Sequence, residues 1–343
     1  MKFKKIFTTS ALCCAMLVSF SGCSLFNKDE STDADAPAAE ADNEALLSEI
    51  SDLKSQVESL KQETVPNISY KNKADYLLGK DNPAVSEAVA EKEKVMADLP
   101  ATIMIKGVEY STSLTSLTLG NMDLTDEDIS ELKYMVNLTE LQIYQNNITD
   151  ISVLKGLTNL KNLSLFKNKI SDLTPIAGLI NLESLYLRAN DITDISPIDN
   201  LINLRILDIS ENNISDITPI AELRDIELLR INDNNISSIT ALGSMTAMKR
   251  LHMQDNNISD LSPVLGMTEI TEIYAENNNI SSIDPIMSLT TLEWLKLGNN
   301  PINNLRPAAS LTALKKLYIQ GLNVDSETMD YLTEQLPDCT IVT

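Results

Sequence analysis

From Leu114 to Val324 apolar and polar residues recur at fixed offsets. Between Leu138 and Ile148 the order is L-x-x-L-x-L-x-x-N-x-I, carried by Leu138, Leu141, Ile143, Asn146 and Ile148. It returns 22 residues later as Leu160, Leu163, Leu165, Asn168 and Ile170. Further copies begin at Leu182, Leu204, Ile226, Met248, Ile270, Leu292 and Leu314, and an earlier one at Leu114, 24 residues before Leu138. Self-similarity at a fixed period of this length predicts a solenoid.

Within each copy, alternation such as Leu141-Gln142-Ile143 predicts a short strand with one buried face. Strands at the same phase of successive coils must run parallel, about 4.8 Å apart. The inward Leu and Ile of one coil are covered only by the next, so a single coil cannot fold alone. The Asn that follows each strand recurs at Asn146, Asn168, Asn190, Asn212, Asn234, Asn256, Asn278 and Asn300. Its amide offers donors and an acceptor, and so forms a structural ladder that satisfies backbone groups where the chain leaves the sheet.

These residues resemble the leucine-rich repeat family, and within it the short-repeat, internalin-like class of bacterial surface proteins. The resemblance covers about two-thirds of the chain; Met122 and Leu322 depart from it, in terminal copies. It implies an α/β repeat solenoid: a leucine-rich repeat horseshoe with a parallel concave β-sheet, a 3₁₀ or extended convex side, and a helical stalk ahead of it.

The ends of the array read differently from its middle. Ile103, Ile105, Val108 and Tyr110 around Lys106-Gly107 predict a hairpin that covers the open sheet edge. Thr125 followed by Asp126, Glu127 and Asp128 predicts an α-helix over 126–135. In the later coils Asp-Ile-x-Pro and close variants (Asp172 to Pro175, Asp194 to Pro197, Asp216 to Pro219) predict short 3₁₀ turns capped by Asp. Asp325 caps a helix over 326–335, and a terminal strand follows in which Cys339 takes a core Leu position, 22 residues after Leu317.

Ahead of the array, residues 1–22 read as a secretory signal peptide, of the lipoprotein type by the resemblance that follows: Lys2, Lys4 and Lys5 precede an apolar run from Ile6 to Phe20 that is too short to span a bilayer. Phe20-Ser21-Gly22-Cys23 resembles the bacterial lipoprotein box, with Phe20 a departure. That resemblance implies lipidation of Cys23 and export to the bacterial membrane and cell surface. Residues 23–43, rich in Ala, Asp, Glu and Ser, read as a disordered tether. Residues 44–65 read as a coiled-coil-like helix, with Leu46, Ile50, Leu53, Val57 and Leu60 in an a/d seam that supports weak self-association. Residues 66–110 hold a helical segment and the cap hairpin; Asn82-Pro83 starts a helix whose apolar face is Val85, Val89, Met96 and Leu99. Residues 111–324 are the repeats and 325–343 the C-terminal cap.

Charge and chemistry then narrow the role. The net charge is −22, and losing the three signal lysines takes it to −25. With no basic tract, no nucleic-acid partner is expected. Of four cysteines, Cys13 and Cys14 would leave with the signal and, by the resemblance, Cys23 would be acylated, which leaves Cys339 no partner for an intramolecular disulfide. The sequence calls for no cofactor. Asp150, Asp172, Asp194, Asp216 and Asp260 read as turn caps rather than calcium ligands. The N-x-S/T matches at Asn147, Asn213, Asn235, Asn257 and Asn279 arise from the repeat itself. His252 is the one histidine. It shares an outward row with Asp208, Arg230 and Tyr274, but Asp208 lies two strands away, about 9.6 Å. No triad is possible at that distance, and no enzyme activity is expected.

The outward side of the strands is the informative face. Tyr144, Phe166, Tyr186 and Arg188 lie toward its start, with Ile206 and Leu228 close by. Arg230, Arg250, His252, Tyr274, Trp294, Lys296 and Tyr318 lie toward its end. Exposed Tyr, Trp and Arg on a rigid surface are the usual anchors of protein interfaces. The expected function is therefore surface-anchored, non-enzymatic recognition of a protein partner. The alternatives are binding of a glycan or cell-wall polymer, or a structural envelope protein that oligomerises through its helix.

Overall fold

The computed structural model describes residues 82–343; the expected signal peptide (1–22), tether (23–43) and helix (44–65), with residues 66–81, lie outside them. The first element is α1 (Pro83–Met96), with the Asn82 side chain accepting from the N–H groups of Ala84 and Val85 at 3.0 and 3.4 Å. Strands β1 (Thr102–Ile105) and β2 (Val108–Ser111) pair antiparallel. Lys106 and Gly107 both take positive φ between them (47° and 77°), the geometry a two-residue hairpin turn needs.

Eleven strands then build one parallel sheet in sequence order. They are β3 (Ser116–Thr118), β4 (Glu140–Gln142), β5 (Asn162–Ser164), β6 (Ser184–Tyr186), β7 (Ile206–Asp208) and β8 (Leu228–Arg230), then β9 (Arg250–His252), β10 (Glu272–Tyr274), β11 (Trp294–Lys296), β12 (Lys316–Tyr318) and β13 (Thr340–Val342). Short 3₁₀ turns return the chain behind the sheet, and α2 (Ser326–Gln335) replaces them in the last coil. Interior strands pair 22 residues apart, as Leu163↔Leu185 and Leu185↔Leu207. In a typical coil Leu160, Leu163, Leu165, Ile170, Leu173, Ile176 and Leu179 all face inward and are buried. One continuous core results, and each coil depends on its neighbours for cover.

The buried asparagines stitch coils together. Asn168 donates from Nδ2 to the carbonyls of Ile143 (3.0 Å) and Leu165 (2.9 Å), and its Oδ1 accepts from Ile148 N–H (3.2 Å). The pattern repeats through Asn300. At the first coil, where Met122 replaces Asn, Asn146 Oδ1 accepts from both Met122 and Leu124 N–H. The residue before each of these asparagines takes a left-handed conformation, φ 52–56° at Gln145, Lys167, Ala189, Glu211, Asp233, Asp255, Asn277 and Asn299. The aspartates cap the 3₁₀ turns: Asp172, Asp194, Asp216 and Asp260 each accept the N–H two residues on, at 2.7–2.8 Å.

Three expectations are corrected. No α-helix spans 126–135; a 3₁₀ turn at Ser130–Tyr134 stands there. Thr125 does not cap it, because Asp128 accepts from the Thr125 N–H and hydroxyl while Asp126 reaches across to the N–H groups of Thr149 and Asp150. The hairpin itself is where it was expected; it forms its own two-stranded sheet and does not hydrogen-bond to β3. Ile103 and Ile105 point into the end of the core instead, while Lys106 Nζ donates to the carbonyls of Met122 and Asp123.

Helix α1 turns a different face inward from the one expected. Ala88 and Val95 are buried, whereas Val89 and Met96 are 42% and 55% exposed. The helix backbone lies against Gly156 and Gly178; a Cβ at Gly178 would fall 2.4 Å from the Ala84 carbonyl oxygen, and one at Gly156 would press on the Lys92 backbone at 3.2 Å. Only small residues fit that approach. Lys92 Nζ ties the helix down through Thr158 Oγ1 and Asn159 Oδ1. Finally, Leu317 pairs with Ile341, not Cys339. The last coil has 24 residues because α2 consumes more chain than a 3₁₀ turn, and Cys339, half-buried, lies just ahead of β13.

Candidate functional site

A constant 22-residue step makes rows of side chains across the open face of the sheet. One row runs Ile206, Leu228, Arg250, Glu272, Trp294 and Lys316. The next runs Tyr186, Asp208, Arg230, His252, Tyr274, Lys296 and Tyr318. A third, two residues past each strand, carries Tyr144, Phe166 and Arg188 and later Gln254 and Glu276.

The residues toward the start of the face form a small cluster. The Tyr144 and Phe166 rings stack at 4.7 Å with 6° between planes. Gly120 makes this possible, since any side chain there would run into the Tyr144 ring. Arg188 is engaged by Glu211 at 2.5 Å. No ring contact joins Tyr186 to this pair among the described residues.

In the middle, two outward positions are not solvent-facing as expected. Asp208 and Leu228 are only 6% and 4% exposed. Neighbours on both flanking strands crowd them. Asp208 Oδ1 accepts from Ser210 Oγ (2.5 Å), and Arg230 Nη1 lies 3.4 Å from Asp208 Oδ2. Arg230 thus engages the Asp208 carboxylate, while His252 faces a different one.

Toward the end of the face the contacts are denser. The His252 and Tyr274 rings stack at 4.3 Å and 8°. Lys296 Nζ sits 4.0 Å from the Tyr274 centroid and 5.2 Å from that of Tyr318. Lys316 Nζ lies 4.8 Å from the Trp294 centroid. Such cation–ring contacts are attractive at this range. His252 Nε2 is 3.3 Å from Glu272 Oε2, and Lys296 Nζ is 3.7 Å from Glu276 Oε1. Burial pushes the His252 imidazolium pKa down against the opposing pull of Glu272. Burial also raises the Tyr274 phenol and the Glu276 carboxyl. Among the described residues, Glu276 Oε2 and Gln254 Oε1 are shielded from solvent without a hydrogen-bond partner.

Glu272, Glu276, Gln254 and Lys316 were not singled out from the sequence. The signal was available: Lys316 stands 22 residues past Trp294, and Glu276 two past Tyr274 on the same face. Away from the aromatics, a rim groove of about 600 Å³ is lined by Lys161, Glu183, Arg205 and Glu227 among others. Its charges pair with one another, Lys161 with Glu183 and both Arg205 and Lys249 with Glu227, and so present little unmet charge to a ligand.

Leucine-bearing coils, an asparagine ladder and a parallel sheet define a leucine-rich repeat solenoid. Residues 136–178 and 180–222 each match the family of leucine-rich repeats in two copies. The structure is similar to internalin C2 of Listeria monocytogenes, at 30% identity over 62% of this chain and 91% of that one, with a TM-score of 0.52. The chain belongs to the leucine-rich repeat family. It shares its fold with the functional domain of InlJ from the same organism (23% identity, 75% of this chain, 53% of that one, TM-score 0.58). It shares the fold also with the ectodomain of the Arabidopsis thaliana receptor kinase GASSHO1/SCHENGEN3 in complex with Casparian strip integrity factor 2 (19%, 62% and 30%, TM-score 0.51). No curated protein matches the chain.

Proposed function

We propose that this chain is a non-enzymatic recognition module that binds a protein partner through the open face of its sheet. The observation that carries this reading is how the aromatic rings are held. Tyr274 has His252 against it at 4.3 Å and Lys296 Nζ over its ring at 4.0 Å, and Tyr144 has Phe166 and the Gly120 backbone beside it. A sugar ring stacks on a free aromatic face, and the faces of Tyr274 and Tyr144 carry neighbours. Ring edges, phenol hydroxyls and flanking charges remain, and these are what polar and apolar groups of a protein surface engage. The plant receptor complex is a precedent at the level of fold alone. The proposed contact residues are Tyr144, Phe166, Tyr186, Arg188, Arg230, His252, Tyr274, Trp294, Lys296 and Tyr318.

The same reading places the module outside the cell: residues 1–22 direct export, Cys23 carries the lipid, residues 23–43 tether, and the 44–65 helix spaces the array and supports weak self-association. No helix of the described residues is long and apolar enough to cross a membrane.

The test uses the full chain with a photo-crosslinking side chain at Tyr318, or at Met287 on the 3₁₀ side, exposed to intact target cells. A discrete protein adduct from position 318 and none from position 287 is expected. Adducts only from position 287, or adducts that glycosidases remove, overturn the reading.

A further inference from the structure

Resting on that reading, we propose that the end of the sheet face spanning β9 to β12 takes an extended acidic segment of the partner, with two carboxylates four residues apart. Acidic residues outnumber basic ones 49 to 27 along the chain, so most cations on the sheet and its rim meet a carboxylate. Lys249 pairs with Glu227, Lys315 with Glu293, Arg230 with Asp208 and Lys296 with Glu276. Arg250 and Lys316 meet none among the described residues. Lys92, Lys133, Lys167 and Lys169 are also without one among the described residues, but those four are not on the strands. Arg250 and Lys316 stand on one row with Glu272 and Trp294 between them, in direct register.

The spacing selects the ligand. From β9 to β12 is three strand intervals, about 14 Å. An extended chain advances about 3.4 Å per residue, so side chains four apart also span about 14 Å. A segment lying across the strands thus sets one carboxylate on Arg250 and the other on Lys316, with the residue midway falling between Glu272 and the edge of partly buried Trp294. Glu272, between the two cations, is an acceptor for that residue's backbone N–H. Lys316, held over the Trp294 ring, is positioned before the ligand arrives, which lowers the ordering cost of binding.

Trp294 is the only tryptophan, so its fluorescence reports on this row. The full chain is titrated with a tryptophan-free ten-residue peptide carrying two Glu four apart, and with peptides where Gln or Lys replaces both Glu or the Glu are two apart. The four-apart peptide is expected to shift Trp294 emission saturably and to weaken as salt rises. The Gln peptide, and Arg250→Gln or Lys316→Gln in the protein, are each expected to weaken binding roughly tenfold. Equal binding of the Gln or Lys peptide overturns the inference, as does undiminished binding by the double variant R250Q/K316Q. Polygalacturonate competing as well as the peptide does so too, since the face would then serve polyanions at large. If no peptide perturbs Trp294 the inference falls, while the crosslink from position 318 still decides whether this face binds protein.

Discussion

Ala88 of α1 and Gly178 of the array are in such close contact that a Cβ at position 178 would lie 2.6 Å from the Ala88 Cβ. Gly178→Ala is therefore expected to lift α1 from the array, because the helix backbone itself blocks the added methyl. Hydrogen exchange should show faster exchange across residues 84–96 while the strand amides stay protected. Gly243→Ala, where nothing lies within 4 Å, should leave α1 unchanged and serves as the control. Slow exchange of α1 in the Gly178 variant would count against this packing.

The asparagine ladder makes a second prediction. Asn212 Nδ2 donates to the carbonyls of Leu187, Ile209 and Ser210, and its Oδ1 accepts from Ile192 N–H. Asn212→Ala strands those buried groups and should cost at least roughly 1–3 kcal/mol in denaturant melts. Asn213 is exposed, and its backbone bond to Ile192 O survives substitution, so Asn213→Ala should change stability by less than about 0.5 kcal/mol. Equal losses would show that the ladder does not hold the coils together.

Such losses separate what was legible in the sequence from what was not. Leu163, Asn168 and the Asp208–Arg230–His252–Tyr274 row were legible because a constant period fixes the register, and register fixes the neighbours. The buried face of α1 was not. Hydrophobicity favours Val89 and Met96 as the inward residues, but the partner surface is two glycines that admit only Ala88 and backbone. The terminal register was missed because α2 adds two residues that no repeat announces, which moves Ile341 rather than Cys339 opposite Leu317. The Asp126 bond to the next coil was hidden because an acidic run after Thr125 looks locally like a helix start.

A pH prediction follows from Glu276. Burial raises its folded-state pKa above the ordinary 4.5, so the folded chain holds this proton more tightly than the unfolded one. Its contribution is full below pH 4.5 and is lost as pH rises through the raised value. Glu276→Gln keeps the neutral form at every pH. Its melting temperature relative to the natural chain should increase as pH rises from about 4.5 toward neutrality, and stay constant below. A constant difference across that range would place the charged form in a well-solvated setting.

The proposed anchor is tested by location. With Cys23 acylated, the chain should partition into the detergent phase, and Cys23→Ala should appear in the medium. Membrane retention of that variant would exclude lipid on Cys23 as the anchor.

The left-handed residue before each ladder asparagine tolerates Gln, Lys, Ala, Glu, Asp and Asn at φ 52–56°, and the strands pair in the same register on either side of each. Every interior coil therefore offers the same seam to the coil before and after it. An in-frame duplication or loss of one coil's coding segment would rejoin matching seams and leave both caps intact. The reach of the recognition surface is thus open to change by gene recombination, separately from its chemistry, which resides in a few row positions that ordinary point mutation can alter.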